Sequence, residues 1–178
     1  MNKTQDFTKG VIWKQLLFFF FPILIGSFFQ QLYNTVDTII VGQACGTNAL
    51  AAVGSTGSLN FLIIGFVLGL AAGFGIPIAQ AFGAREEKRM LQTIMNAFYL
   101  CIFFSIVLTV LTHFTTETLL QWMQTPANIF KQSYDYISII FYGLTCTIAY
   151  NFLASVSRAL GDSKTPLIFL IISSVLNV

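Results

Sequence analysis

Charged residues are scarce in this sequence. Asp, Glu, Lys and Arg make up only 9% of the 178 residues, whereas a soluble domain carries roughly 25%. So few charges cannot cover a surface that faces water, and this argues against a soluble globular domain. The net charge of +2 is too small to indicate binding to nucleic acid. Because hydrophobic residues make up 56% of the chain, we expect its outer surface to contact a lipid bilayer.

Residues that build disulfides, metal sites and catalytic centres are also few. The three cysteines, Cys45, Cys101 and Cys146, form no CxxC pair, and we predict three free thiols. The only histidine, His113, has no cluster of Cys, Asp or Glu around it, so we predict no metal site there. The sequence has no GxSxG, Walker or HExxH motif. We therefore expect neither an enzyme nor a bound cofactor.

Long apolar runs are what the sequence has in abundance. A membrane-spanning helix needs about 20 apolar residues to cross a hydrocarbon core of about 30 Å. The runs predict four complete helices and a fifth that starts but would reach only about 20 Å. The predicted fold class is therefore an all-α integral membrane protein, a polytopic helix bundle, and we expect the chain to be a fragment of a longer protein. The predicted helices cover residues 11–41, 50–82, 91–111, 134–157 and 166–178.

The basic residues predict the orientation of this bundle. Loops on the cytoplasmic side of a membrane carry an excess of Lys and Arg. Successive loops lie on alternate sides of the membrane. The side that includes the N-terminal segment carries all of the Lys and Arg residues except Lys131. We therefore expect a multi-pass protein of the cell membrane with a cytoplasmic N-terminus. The residues on the cytoplasmic side are Lys3, Lys9, Lys14, Arg85, Lys88, Arg89, Arg158 and Lys164.

Prolines, capping residues and glycines give further predictions about the helices. Pro22 lies inside the first predicted helix, where the missing N–H should bend it. Thr165 before Pro166 predicts an N-cap for the fifth helix. The loops outside the membrane are predicted around residues 43–48 and 112–133. Two overlapping GxxxG units predict close approach by another helix, at Gly65, Gly69 and Gly73.

A polar stripe in the first helix is the most informative local pattern. Gln30, Tyr33, Asn34 and Asp37 are spaced i, i+3, i+4 and i+7, which places them on one helix face. An ionised carboxylate inside a bilayer costs at least about 2.5–3.5 kcal/mol. Asp37 is therefore a candidate for exchanging a proton or holding a cation such as Na⁺. The alternatives are that Asp37 reaches the outer interface, and that the amides only join helices.

A second stripe follows the fourth helix. Its members share a face at helical spacing, and its tyrosine and asparagine side chains are candidates to meet the first stripe across a cavity. The alternative interpretation is that these residues pack between helices and that the tyrosines lie at the membrane interface. For each single residue this interpretation is at least as favoured. The stripe consists of Tyr136, Gly143, Thr147, Tyr150 and Asn151.

These segments together resemble the multidrug and toxic compound extrusion (MATE) transporters. The resemblance rests on Pro22 with the segment 30–42, which looks like the first helix of the family, and on residues 49–54 and 79–84, which open and close the second. Residues 158–166, with the sequence RALGDSKTP, resemble the turn before the fifth helix. The order and spacing of these segments over the whole chain carry the resemblance.

The resemblance implies twelve helices in two six-helix lobes, with this chain forming most of the N-terminal lobe. It implies export of cationic or amphipathic compounds in exchange for H⁺ or Na⁺, with the C-terminal lobe as an intramolecular partner. By the same resemblance, the coupling ion would be bound by Asp37, Tyr136 and Asn177, and the first helix would bend at Pro22. The residues expected to line the substrate cavity are Gln30, Tyr33, Asn34 and Asn151.

One departure from the family pattern concerns a second carboxylate. In the family an aspartate usually follows the Leu-Asn pair seen here at Leu176 and Asn177, but this sequence stops at Val178. Alternating access needs two lobes that move against each other, so we expect this chain alone not to transport. Two other functions stay open from the sequence: a lipid or lipid-linked oligosaccharide flippase, and a membrane scaffold that does not transport.

Overall fold

The computed structural model describes residues 11–177, and every described element is an α-helix. Lys3, Lys9 and Val178 lie outside the described residues, as does the side chain of Asn177. We label the helices α1 to α6 in chain order. They are α1 (12–45), α2 (47–83), α3 (Glu87–Trp122), α4 (Ala127–Tyr142), α5 (Leu144–Ala159) and α6 (Lys164–Asn177).

Helices α1 and α2 form one continuous helical run, Ile12–Gly83, that is broken at Gly46. Gly46 has φ 83° and ψ −179°, a conformation that favours glycine because it has no Cβ. A β-carbon built on Gly42 would lie 3.4 Å from Cδ2 of Leu50, whereas eight residues of straight helix rise about 12 Å. The chain therefore folds back at Gly46, inside the predicted outer loop.

The predicted fold class is confirmed. Trp13–Gly83 and Glu87–Trp122 are long and apolar enough to cross a membrane, and the pair Ala127–Tyr142 and Leu144–Ala159, bent by 45°, forms a further broken span. The fold-back at Gly46 divides the first segment into two crossings, which gives four spans within residues 11–177. Helix α6 is shorter, at about 21 Å.

The core lies between α2, α3, α4 and α5. Large buried side chains include Ile78, Leu120, Ile137 and Leu144, and the run 12–83 contacts each of the other helices. In α1, by contrast, only Pro22 and Gly26 are buried among the residues whose side chains are described. Helix α1 therefore lies at the margin of the bundle, where it packs on α6.

Several helix ends differ from the predictions. The predicted end of the third helix at Leu111 is wrong, because α3 continues to Trp122 and only residues 123–126 separate it from α4. Helix α3 continues although the sequence becomes less apolar after Leu111. The hydroxyl groups of Thr112 and Thr116 donate to backbone carbonyls one turn earlier, so these polar side chains fit within the helix. The predicted N-cap at Thr165 is also wrong, because Asp162 caps α6.

The close-approach face of α2 is not the one that the GxxxG spacing predicted. A β-carbon on Gly65, Gly69 or Gly73 would meet nothing within 4 Å, whereas one on Gly75 would lie 2.5 Å from Oγ of Ser155 in α5. That hydroxyl donates to the carbonyl of Ala71 at 2.6 Å. Spacing places residues on one face, but only packing decides which face meets a helix.

Gly75→Ala is expected to destabilise the protein by about 1 kcal/mol, because the new methyl group must displace the Ser155 hydroxyl from its hydrogen bond. Gly69→Ala is the matched control. It should be neutral or stabilising by about 0.4–1 kcal/mol, since its site is open and the unfolded chain loses entropy. Thermal unfolding in detergent would compare the two, and equal effects would contradict the packing argument.

The carboxylate of Asp162 fixes the start of α6. Its Oδ1 accepts hydrogen bonds from the backbone N–H groups of Lys164 and Thr165 at 3.0 and 3.1 Å, and its Oδ2 accepts one from the Thr165 hydroxyl at 2.6 Å. Partial burial acts to raise the pKa of Asp162, but these hydrogen bonds and the charge of Lys164 outweigh it and hold the pKa below its ordinary value.

Asp162→Ala should therefore destabilise α6 by about 1 kcal/mol through loss of the cap. Because the folded-state pKa is depressed, the contribution of the charge is complete above the ordinary carboxyl pKa of 3.8. It is lost as the pH falls through the lower folded-state value. Asp162→Asn is the control, since asparagine also caps helices but does not titrate. Melting curves from pH 7 down to pH 3 should show a smaller loss of stability for the asparagine variant than for the wild type.

Candidate ion and substrate site

The polar stripe of α1 lies partly against α4 and partly in the open. Tyr33 and Asp37 are half-buried, whereas Gln30 and Asn34 are exposed. The described residues therefore do not enclose Gln30 and Asn34 in a cavity. Of the four stripe residues, Tyr33 and Asp37 are the two that pack partly against the rest of the bundle.

Tyr136 of α4 is the residue that joins them. Its phenol interacts electrostatically with the carboxylate of Asp37 and with the phenol of Tyr33. Next to Tyr136, Ile137 is fully buried in the core, and one turn earlier the hydroxyl groups of Ser133 and Ser55 are 3.0 Å apart. These contacts hold α4 against α2, and they present Tyr136, which is half-buried, on the flank that faces α1.

A cavity of about 400 Å³ lies beside this group, between α1 and α6. Its walls are almost entirely apolar, and Tyr33 belongs to both the cavity wall and the polar group. The hydroxyl of Ser174, another wall residue, donates to the carbonyl of Leu170 in its own helix. An apolar cavity with a carboxylate near its edge has the chemistry to accept an amphipathic cation. The lining residues are Phe29, Leu32, Tyr33, Val36, Ile171, Ser174 and Val175.

Pro22 and Gly26 lie where α1 packs on α6. Both are buried, and a β-carbon on Gly26 would lie 3.4 Å from Leu167 and 3.5 Å from Leu170. The run Ile12–Gly83 has its non-helical backbone angles at Gly46 and keeps helical angles at Pro22. The bend at Pro22 stays a prediction about a conformational change.

The second polar stripe does not continue across helix four. The span is bent by 45° between α4 and α5, at Gly143, whose N–H is shared between the carbonyls of Ile139 and Ile140. In α5, Nδ2 of Asn151 donates to the carbonyl of Thr147 at 2.8 Å, and the hydroxyl of Tyr150 donates to the carbonyl of Pro166 at 3.3 Å. Asn151 and Tyr150 are therefore engaged in helix contacts, and Tyr136 is the stripe residue that lies within electrostatic range of Asp37.

Asn177 and the cysteines complete the sequence candidates. Asn177 is the last residue of α6, two residues after Val175 of the cavity wall. The prediction of free thiols is confirmed for Cys45, Cys101 and Cys146. Residues 11–177 contain no group of three His, Cys, Asp or Glu side chains placed to hold a metal ion.

The sequence analysis missed the hydroxyl pairs that join neighbouring helices. Ser55 pairs with Ser133, and Oγ of Ser105 in α3 donates to Oγ1 of Thr145 in α5 at 2.9 Å. The signal was the presence of Ser and Thr within apolar runs, because a polar group in lipid needs a partner. The first pair joins α4 to α2 and thereby helps to position Tyr136, whereas the second pair joins α5 to α3.

A double-mutant cycle tests the contact between Asp37 and Tyr136. Asp37→Asn and Tyr136→Phe should be non-additive in their effects on the free energy of unfolding, with a coupling energy of about 0.5–3 kcal/mol, because each removes half of one interaction. Tyr150→Phe is the control, since its hydroxyl bonds to Pro166 and should add to Asp37→Asn. Additivity in both cycles would show that Asp37 and Tyr136 do not interact.

Comparisons with known proteins place this architecture. The MatE family matches residues 22–178. The probable multidrug resistance proteins YpnP and YoeA of Bacillus subtilis are 35% and 34% identical, each over 98% of this chain. A crystal structure described as MATE in the straight conformation has a TM-score of 0.90 and 24% identity, with 99% of this chain and 39% of that chain covered.

The chain spans 39% of the length of YpnP and 38% of the length of YoeA. The match to the family covers most of the sequence, including the polar stripe of α1, the break at Gly143 and the capped turn before α6. The helical membrane architecture and the family match agree. The chain belongs to the MatE family of multidrug and toxic compound extrusion transporters.

Proposed function

We propose that the full-length protein that carries this chain is a secondary antiporter. It exports cationic or amphipathic compounds in exchange for H⁺ or Na⁺, and this chain supplies most of its N-terminal lobe. The observation that carries the proposal is the half-buried Asp37, which interacts with Tyr136 beside an apolar cavity. The relatives named as probable multidrug resistance proteins support the substrate class.

Asp37 is the proposed binding site of the coupling ion. A carboxylate within a membrane is stabilised by protonation or by a bound cation, because either one removes the uncompensated charge. The phenol of Tyr136 lies within electrostatic range and can donate a hydrogen bond to the ionised carboxylate, whereas the protonated acid no longer needs it. The charge of Asp37 therefore biases the contact between α1 and α4. Asn177 is the proposed third member of this site.

The substrate is proposed to occupy the apolar cavity between α1 and α6. Aromatic and aliphatic walls suit the apolar part of an amphipathic compound, and the carboxylate of Asp37 suits its positive charge. The ion and the substrate then compete for the carboxylate of Asp37. Because of this competition, binding of either one lowers the affinity for the other. Gln30, Asn34 and Asn151 are proposed to contact substrate from the margins of the cavity.

Movement of α1 is the proposed link between ion binding and export. Pro22 leaves one carbonyl of α1 without its helical partner, and the buried contact of Gly26 with Leu167 and Leu170 holds that part of the helix on α6. Neutralising Asp37 weakens its interaction with α4, and a bend at Pro22 would then narrow the cavity. We place the protein in the cell membrane with its N-terminus in the cytoplasm, as the basic loops predict.

Asp37→Asn should abolish export while the protein still inserts in the membrane, because the amide cannot exchange a proton or balance a cation. Ethidium accumulation in cells that express the full-length protein at matched membrane levels measures this, with accumulation expected to rise to that of vector cells. Asp135→Asn is the control. Asp135 neighbours Tyr136 in sequence but is exposed, and its variant should export like the wild type.

Two outcomes would contradict the proposal. Equal export by the wild type and Asp37→Asn would exclude Asp37 as the coupling residue. No export by the wild type would exclude drug efflux and favour the flippase or scaffold functions.

A further inference from the structure

A small cavity lies between α3 and α4, apart from the Asp37 site. Its volume is about 10 Å³, close to the space that a single water molecule needs. Polar side chains from both helices line it, among them Thr109 and His113 of α3 and Ser138 and Tyr142 of α4, and Phe141 supplies an apolar wall.

One polar atom in the wall of this cavity has no partner within the described structure. Oγ1 of Thr109 is buried and makes no hydrogen bond. The hydroxyl of Thr112, also in the wall, donates to the carbonyl of Leu108 at 2.8 Å. A buried hydroxyl without a partner destabilises a protein by about 1–3 kcal/mol. Because Thr109 lines a polar cavity, we expect a molecule in that cavity to form the missing hydrogen bond.

The opposite wall offers further hydrogen-bonding groups. Oη of Tyr142 lies 3.3 Å from Nδ1 of His113, and this contact joins α4 to α3 one residue before the break at Gly143. Broken helices within a membrane are completed by neighbouring side chains and ordered waters, because lipid cannot pair with the freed backbone groups. The cavity therefore lies beside the break in the fourth span, where an ordered water can supply a hydrogen bond.

We propose that this cavity is a binding site for one ordered water molecule that accepts or donates a hydrogen bond at Thr109. The water bridges α3 to the end of α4 and supports the bend at Gly143. The volume excludes an organic cation, and no carboxylate lines the site to hold a metal ion. This role is separate from ion coupling at Asp37.

Radiolytic hydroxyl-radical labelling of the full-length protein in nanodiscs tests the proposal directly, since radicals generated from bound water react with adjacent side chains. Phe141 lines the cavity and is 3% exposed, and Phe152 of the same core is 5% exposed but lines neither described cavity. We expect Phe141 to be labelled several-fold faster than Phe152. Equal labelling of the two would show a dry cavity and overturn the proposal.

Thr109→Val distinguishes a bound water from an unpaired hydroxyl. If the hydroxyl holds a water, the variant should label Phe141 as slowly as Phe152 and melt at a lower temperature than the wild type. If the hydroxyl has no partner, the nearly isosteric valine should leave the melting temperature unchanged or raise it, and this result would refute the proposal. Thr115→Val is the control, because that hydroxyl bonds to Leu111 in its own helix and its loss should not alter labelling of Phe141.

Discussion

Lipid offers no hydrogen bonds, so the polar groups buried in this bundle must find their partners in the protein or in water held within it. The backbone meets this constraint by staying helical through almost all of the described chain. Hydroxyl groups meet it by donating to carbonyls one turn earlier, as in Thr35 and Thr38 of α1, or by pairing between helices, as in Ser55 and Ser133. Positions of the helices thus follow from polar pairing as well as from apolar packing.

Three glycines lie where a helix breaks or where two helices come close. Gly46 adopts a positive φ and folds the first long run back on itself, and Gly143 marks the bend in the fourth span. Gly75 lets Ser155 reach the carbonyl of Ala71 between α2 and α5. This contact holds α2 close to α5, and the buried core side chains make α2 to α5 the most tightly packed part of the described chain.

Helix α1 differs from this tightly packed part in ways that suit a moving element. Its buried contacts are concentrated at Pro22 and Gly26 against α6, and its polar side chains lie at the margin of the bundle. The charge of Asp37 acts on Tyr136, which α4 holds firmly through its buried neighbours. A change of charge on a loosely packed helix beside a fixed partner can change the position of that helix, because little other packing opposes the movement.

The sequence by itself determined the membrane-spanning helical class and the family, because scarce charge, run length and motif order do not depend on the packing of the helices. It also singled out Asp37, since a carboxylate in an apolar run carries its cost wherever it lies. Only the tertiary structure decided that Tyr136 lies within electrostatic range of Asp37 while Asn151 bonds within α5, because the bend at Gly143 separates residues that one straight helix would align. The same holds for Gly75, whose close contact depends on which face of α2 meets α5.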